Sequence, residues 1–150
     1  MEGNFGFTSE LLEKLDEYQN YPPILITSSI QAQQDNPYGK SKKAGEDLIF
    51  SYGKDKKTPV FVYRLANLFG KWSRPNYNSV VATFCHNIAR GEDIQINAPD
   101  ALLTLSYIDD VVEEFIKALE GQGTKNEHLE GFYHVPVEHE IKLQDLAHTI

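Results

Sequence analysis

Ile24-Leu25-Ile26-Thr27-Ser28-Ser29, followed across a polar stretch by Asn36-Pro37-Tyr38-Gly39-Lys40-Ser41-Lys42, is the part of the sequence on which the fold turns. A short, continuous apolar run ending in serines reads as a strand covered on both faces, as in a parallel sheet. Residues 31–36 are polar loop. Asn36-Pro37 is a strong helix start, a capping side chain followed by proline in the first turn. The helix is predicted over 37–52, ending near Gly53.

Outward from this core the chain alternates apolar strands with amphipathic helices, which points to α/β layering. Upstream, Thr8 or Ser9 can cap a first helix with Leu11, Leu12, Leu15 and Tyr18 on its apolar face, and Tyr21-Pro22-Pro23 stops it. Downstream, Pro-Val-Phe-Val-Tyr at 59–63 is a second strand of buried type, and 67–77 is a long loop rich in Gly, Pro, Ser and Asn. A helix is predicted over 79–89, with Val80, Phe84 and Ile88 on one face and Gly91 just past its end. Short strands are predicted at 94–96 and 102–106. Asp109 opens a further helix with Val112, Phe115, Ile116 and Leu119 as its buried stripe. Residues 132–135 read as a strand and 143–150 as a helix. That last helix ends on an apolar residue without a stop signal, so the chain is expected to continue into something further.

The 150 residues suit one domain with a buried core. Fourteen Lys and Arg against 22 Asp and Glu give a formal net charge of −8, which argues against nucleic acid or an anionic membrane as the main partner. Cys85 is the single cysteine, so an intrachain disulfide and a CxxC metal knuckle are excluded. No apolar run reaches the roughly 20 residues of a membrane span, and the opening Met-Glu-Gly-Asn-Phe-Gly lacks the pattern of a signal peptide. No membrane insertion and a cytoplasmic location are the expectation.

The chemistry concentrates in Tyr38 and Lys42, four apart on one helix and so on one face. A phenol with an ordinary pKa near 10 is a poor acid or base at neutral pH. An ammonium held beside it favours the phenolate. A hydroxyl from the strand end, Ser29 or Ser28, can hydrogen-bond the same substrate oxygen. Together these groups can move a proton at a carbonyl or alcohol while hydride moves at the neighbouring carbon. The spacing alone also occurs on solvated helices; the buried strand ending in Ser-Ser and the Asn-Pro helix start supply the context. Lys40 and Lys43 face about 100° away and read as solvated charges.

Other candidates have simpler readings. His134, Glu138 and His139 tempt as a metal site, but Pro136 spoils a helix and His139 is out of phase in a strand. Cys85 and His86 are adjacent on a helix and point apart, so Cys85 reads as a small buried residue. Asp109 and Asp110 read as capping a helix and favouring its dipole. Phe69, Trp72 and Tyr77 lie in a loop, and residues 54–57 form a solvated turn.

Ile-Thr-Ser-Ser followed by Asn-Pro-Tyr-Gly-Lys-Ser-Lys-Lys-Ala-Gly-Glu resembles the extended short-chain dehydrogenase/reductase family of nucleotide-sugar epimerases, dehydratases and ketoreductases. Residues 63–70 (Tyr-Arg-Leu-Ala-Asn-Leu-Phe-Gly) are similar to its Arg-x-x-Asn-x-aromatic-Gly segment, and 107–111 (Tyr-Ile-Asp-Asp-Val) to its (His/Tyr)-Val-Asp-Asp-Val. Within the family, residues 67–80 look most like the CapF-type reductases of bacterial capsule synthesis, which use NADPH on a UDP-linked 4-keto-6-deoxy-N-acetylhexosamine and carry a separate cupin domain.

The resemblance implies a partial Rossmann-like parallel sheet with flanking helices, over about 5–70, plus a small substrate-binding lobe over about 71–150. It implies Tyr38 as acid/base, Lys42 also holding the nicotinamide ribose, and Ser29, with Ser28 as second choice, as the hydroxyl partner. Thr27, Ser28, Leu65 and Ala66 fall on the cofactor side. Asn67 and Asn78 match amides that contact the sugar diphosphate, and 95–97, beginning at Gln95, would run beside uracil. Phe69, Trp72 and Tyr77 would line the sugar pocket. The cofactor would be NADP or NAD, and a homodimer would form through the first helix and the Tyr38 helix.

Two departures matter. The family begins with a strand, a glycine-rich turn and a helix whose N-terminus faces the cofactor pyrophosphate, and neither Gly3-Asn4-Phe5-Gly6 nor Gly121-Gln122-Gly123 has that context. The N-terminal dinucleotide-binding half is therefore expected to be absent, and this chain by itself to be inactive and to bind NADP weakly or not at all; the alternative reading is a non-catalytic remnant or dimerising fragment of such an enzyme. The arginine usual a few residues before Asp109-Asp110 is also missing from Leu102-Leu103-Thr104-Leu105-Ser106. The strand at 24–27 is expected to present an open edge.

Overall fold

The computed structural model describes residues 2–150, with side chains from Phe5 onward. The chain is α/β and folds as two compact units, one running through Leu65 and including Gly123–His134, the other comprising Ala66–Gln122 and Val135–Ile150.

The first unit contains α1 (Glu2–Glu17), β1 (Ile24–Ser29), a 3-10 turn (Ile30–Gln33), α2 (Pro37–Lys56), β2 (Val60–Leu65) and β5 (Phe132–Tyr133). Its sheet has the order β1-β2-β5 and is parallel throughout, with Ile24 opposite Val60, Ser28 opposite Arg64 and Ser29 opposite Leu65. β1 is an edge of this sheet. Ile24, Ile49, Tyr52 and Val62 form the core, with Leu12, Leu15 and Phe132 packed against it.

α1 starts earlier than expected, at Glu2, so neither Thr8 nor Ser9 caps it. Gly and Asn weaken a helix by about 1 kcal/mol or less each, which tertiary context overrides. Only Leu12 and Leu15 of the expected apolar face reach the core; Leu11 and Tyr18 are exposed, Tyr18 because α1 has already ended. α2 opens as predicted, with Asn36 Oδ1 accepting from Gly39 N at 2.8 Å and Pro37 first in the helix. It outlasts Gly53 and ends at Lys57, which takes the left-handed conformation (φ 53°). Gly53 serves close packing instead: a Cβ there would sit 2.8 Å from a Val60 methyl.

The second unit contains β3 (Asn67–Phe69), α3 (Val80–Ile88), β4 (Leu102–Tyr107), α4 (Ile108–Leu119), β6 (His139–Lys142) and α5 (Leu143–Thr149). Its sheet, in the order β3-β4-β6, pairs β3 parallel and β6 antiparallel to β4. Five expectations change here. Residues 67–69 are a strand and not loop, because β4 offers them a parallel partner. Residues 94–96 form no strand, having no ladder to satisfy their backbone. Cys85 is exposed, since Phe84 takes the buried position and the next residue turns about 100° away. On α4 the buried face is Val111, Glu114 and Ala118, while Val112, Ile116 and Leu119 (80% exposed) face outward. Asp109 and Asp110 occupy the first turn of α4 without capping it, and Asp109 pairs with Lys71 at 2.9 Å. Their favourable position toward the helix dipole stands.

Candidate functional site

The site-bearing part of the first unit is the turn from β1 into α2. Ser29 ends β1 and its Oγ accepts from Gln31 N at 3.2 Å, so it caps the 3-10 turn and keeps its O–H available to donate. The loop then runs under the first turn of α2, where Gly39 is indispensable: a Cβ would lie 2.4 Å from Gln34 O and 2.5 Å from Gln31 O. That close approach sets Tyr38 at the head of α2, 48% exposed. One turn on, Lys42 places Nζ 5.8 Å from the centroid of the Tyr38 ring. The phenol and the ammonium thus share one side of the helix.

Lys40 and Lys43 are engaged elsewhere, with Asp35 at 2.7 Å and Asp47 at 2.9 Å. Lys42 has no carboxylate partner among the described residues. A small recess of about 210 Å³ gathers Thr27, Ser28, Ser41 and Lys42 beside Phe7 and Ile26. Leu65, opposite Ser29 in the sheet, is buried.

The two serines have different duties. Ser28 is buried, and its Oγ donates to Glu46 Oε1 at 2.6 Å. Arg64 closes the same carboxylate from the other side, Nε to Oε1 at 2.8 Å and Nη2 to Oε2 at 2.6 Å. Those bonds from Glu46 hold the Arg64 guanidinium above its already high ordinary value, against the opposing effect of burial. The sequence reading missed Glu46 and Arg64. Glu46 was findable as the next residue at helical spacing after Tyr38 and Lys42.

In the second unit a cavity of about 550 Å³ brings Asn78, Gln95 and Asn97 together with Tyr77. Ser79, Thr83 and Asn87, spaced four apart along α3, add a polar stripe to its lining. Asn87 Nδ2 donates to Asp93 O at 3.1 Å, and its buried Oδ1 has no partner among the described residues. This stripe also escaped the sequence reading, although polar residues at helical spacing on an apolar helix are a visible signal. Asn67 lies apart from the cavity lining, its amide donating to Thr104 O at 3.2 Å. Phe69 packs against Tyr107 with the rings tilted and their centroids 5.4 Å apart, and Trp72 is 96% exposed. The cavity lining is amide- and hydroxyl-rich and includes no cationic side chain, which suits a neutral hydrogen-bonding ligand group.

A parallel sheet with a Tyr/Lys pair on the helix after a Ser-ended strand is a Rossmann-like arrangement. Residues 8–130 match the NAD dependent epimerase/dehydratase family, and the chain belongs to it. Over 120 residues it is 53% identical to UDP-2-acetamido-2,6-beta-L-arabino-hexul-4-ose reductase of Pseudomonas aeruginosa, an overlap of 80% of this chain and 32% of that protein. The fold superposes on the capsular polysaccharide assembling protein CapF of Staphylococcus aureus with a TM-score of 0.88 and 45% identity, covering 97% of this chain and 40% of that one. UDP-glucose 4-epimerase of Thermotoga maritima shares the fold at 22% identity and a TM-score of 0.81. The chain therefore spans about a third of the length of the curated reductase it matches.

Proposed function

We propose that this chain is the proton-donating part of an NAD(P)-dependent nucleotide-sugar reductase, acting on a UDP-4-keto-6-deoxy-N-acetylhexosamine in bacterial capsule or O-antigen synthesis in the cytoplasm. The observation that carries the reading is Lys42 beside Tyr38 on the helix that follows Ser29, in a chain 53% identical to a UDP-sugar 4-ketoreductase over 120 residues. Tyr38 gives its proton to the keto oxygen. Lys42 favours the phenolate left behind and donates toward the nicotinamide ribose. Ser29 polarises the same keto oxygen, being the serine whose hydroxyl is free to donate; Ser28 is held by Glu46. The bound nicotinamide supplies the hydride.

Thr27 and Lys42 in the small recess fit the ribose end of that cofactor, with Leu65 and Ala66 against its ring. Asn78 and Gln95 bind the nucleotide sugar from the polar cavity, with Asn67 nearby in sequence on β3. The glycine-rich pyrophosphate site has no counterpart among these residues, so in this reading the 150-residue chain alone is inactive and binds NADP weakly or not at all. A second copy of the chain covers the exposed Phe7 and Leu11 of α1 and Tyr18 just past its end, making a homodimer through α1 and α2; light scattering reads its mass directly, and a monodisperse monomer removes that part of the reading.

The test mixes the protein with NADPH, a UDP-4-keto-6-deoxy-N-acetylhexosamine and the glycine-rich half of the related reductase, and follows nicotinamide absorbance. Turnover that requires both halves and disappears in Tyr38→Phe is the expected result. Turnover that survives Tyr38→Phe, or complemented protein that never turns over, overturns the reading.

A further inference from the structure

Tyr38, Lys42 and Glu46 follow one another at intervals of four along α2, so their side chains rise from one face. The first two reach the open end of the site and the third is fully buried. Glu46 enters a socket made by the sheet: Ser28 from β1 and Arg64 from β2 are direct neighbours across the parallel ladder, and both bond its carboxylate. The guanidinium in turn lies 4.2 Å from the centroid of the Phe132 ring on β5. One carboxylate therefore ties α2 to all three strands of the sheet.

A buried carboxylate is costly unless paired, so its presence needs a reason beyond filling space. Ile49 and Tyr52 already supply apolar burial on α2. Apolar contact is non-directional and leaves a helix able to rotate or slide by small amounts. A two-point guanidinium–carboxylate bond plus a hydroxyl donor fixes both angle and height. Lys42 sits one helical turn from this anchor, about 5.4 Å along the axis, and Tyr38 one turn further. Tyr38 is half-exposed and lacks a packed socket of its own, so its position is inherited from the helix.

We propose that Glu46 is a positioning residue: through Ser28 and Arg64 it fixes the rotation of α2 and thereby holds the face that carries Tyr38 and Lys42 against the end of β1. This rests on the reductase reading for its catalytic meaning, while the geometry it claims can be read in the unliganded chain. Misplacing a reacting group by about 1 Å is enough to cost on the order of 10²-fold in rate, so such an anchor has a kinetic purpose.

The experiment is nuclear magnetic resonance on the isotopically labelled 150-residue chain, following the Overhauser contact between the Lys42 side chain on α2 and the Thr27 methyl on β1, which line one recess. In Glu46→Gln this contact is expected to be lost while contacts between Ile49 and Val62 persist; in Ser28→Ala, which removes one tether without stranding Arg64, it weakens in the same direction. An unchanged Lys42–Thr27 contact in folded Glu46→Gln overturns the proposal, as does its loss in step with the Ile49–Val62 contacts. Should Glu46→Gln not fold, Ser28→Ala decides alone: an unchanged contact there refutes the anchor. Because no substrate or cofactor is involved, this result stands apart from the absorbance assay, in which failure of turnover overturns the reductase reading and leaves the contact map untouched.

Discussion

Lys42 stands over the side of Tyr38, its ammonium nitrogen 5.8 Å from the ring centroid, with one helical turn between the two residues. An ammonium there supports negative charge on the phenol oxygen as the proton leaves. Lys42→Met removes that support and is expected to lower kcat in the complemented reductase assay by about 10²–10⁴-fold. Both side chains are at least partly exposed, so urea unfolding of the variant should differ by no more than about 0.5 kcal/mol. A variant that keeps its rate disproves the role.

Arg64 and Glu46 form a pair almost wholly removed from solvent. Deleting one partner strands the other as an uncompensated buried charge. Arg64→Met is expected to destabilise the first unit by about 3–5 kcal/mol, and the double replacement Arg64→Met with Glu46→Leu to recover most of that loss. Urea midpoints for the two variants, compared at constant slope, check the difference.

Gly39 and Gly45 lie on the same helix in opposite circumstances. An added Cβ at Gly39 meets two backbone carbonyl oxygens at 2.4 and 2.5 Å, while one at Gly45 meets nothing within 4 Å. Gly39→Ala must displace either the 31–34 loop or the first turn of α2, at a cost of about 1–3 kcal/mol. Gly45→Ala should instead stabilise by about 0.5–1 kcal/mol. Melting temperatures moving in opposite directions are the expected observation.

Asp16 ties α1 to α2 through Lys56 and accepts a hydrogen bond from the Tyr21 hydroxyl at 2.9 Å. The Lys56 hydrogen bond, then that of Tyr21, holds the Asp16 carboxyl below its ordinary value of 3.8. The bond to Asp16 holds the Lys56 ammonium above its ordinary 10.5. A depressed carboxyl contributes stability that is complete above pH 3.8 and is lost as pH falls through its folded value; a raised ammonium contributes stability that is complete below pH 10.5 and is lost as pH rises through its own. Asp16→Asn should therefore flatten both limbs of the stability–pH curve, and the parent protein should lose more stability in salt than the variant, since the pair is solvent-facing. Unfolding curves across pH, with and without salt, read this directly.

Much of the candidate site's geometry was legible because its signals are local. Asn36-Pro37 starts a helix by side-chain capping and a fixed φ, whatever surrounds it, and residues four apart share a face on any helix. The α4 stripe misled for a related reason: Val111, Val112, Phe115, Ile116, Ala118 and Leu119 spread apolar surface around much of the helix. Periodicity then marks a helix without choosing its buried side. Cys85 and 94–96 failed similarly, since burial and strand pairing depend on neighbours far away in the chain.

Local backbone chemistry and side-chain spacing therefore settled, from the residues alone, the strand before the site, the helix after it and the pairing of Tyr38 with Lys42. Only the folded chain decided which serine is held and which is free, because Ser28 and Arg64 become neighbours through a parallel ladder that joins residues 36 positions apart. The buried carboxylate of Glu46 is stable solely where that ladder delivers both of its donors, a condition that long-range pairing creates and spacing along the chain does not encode.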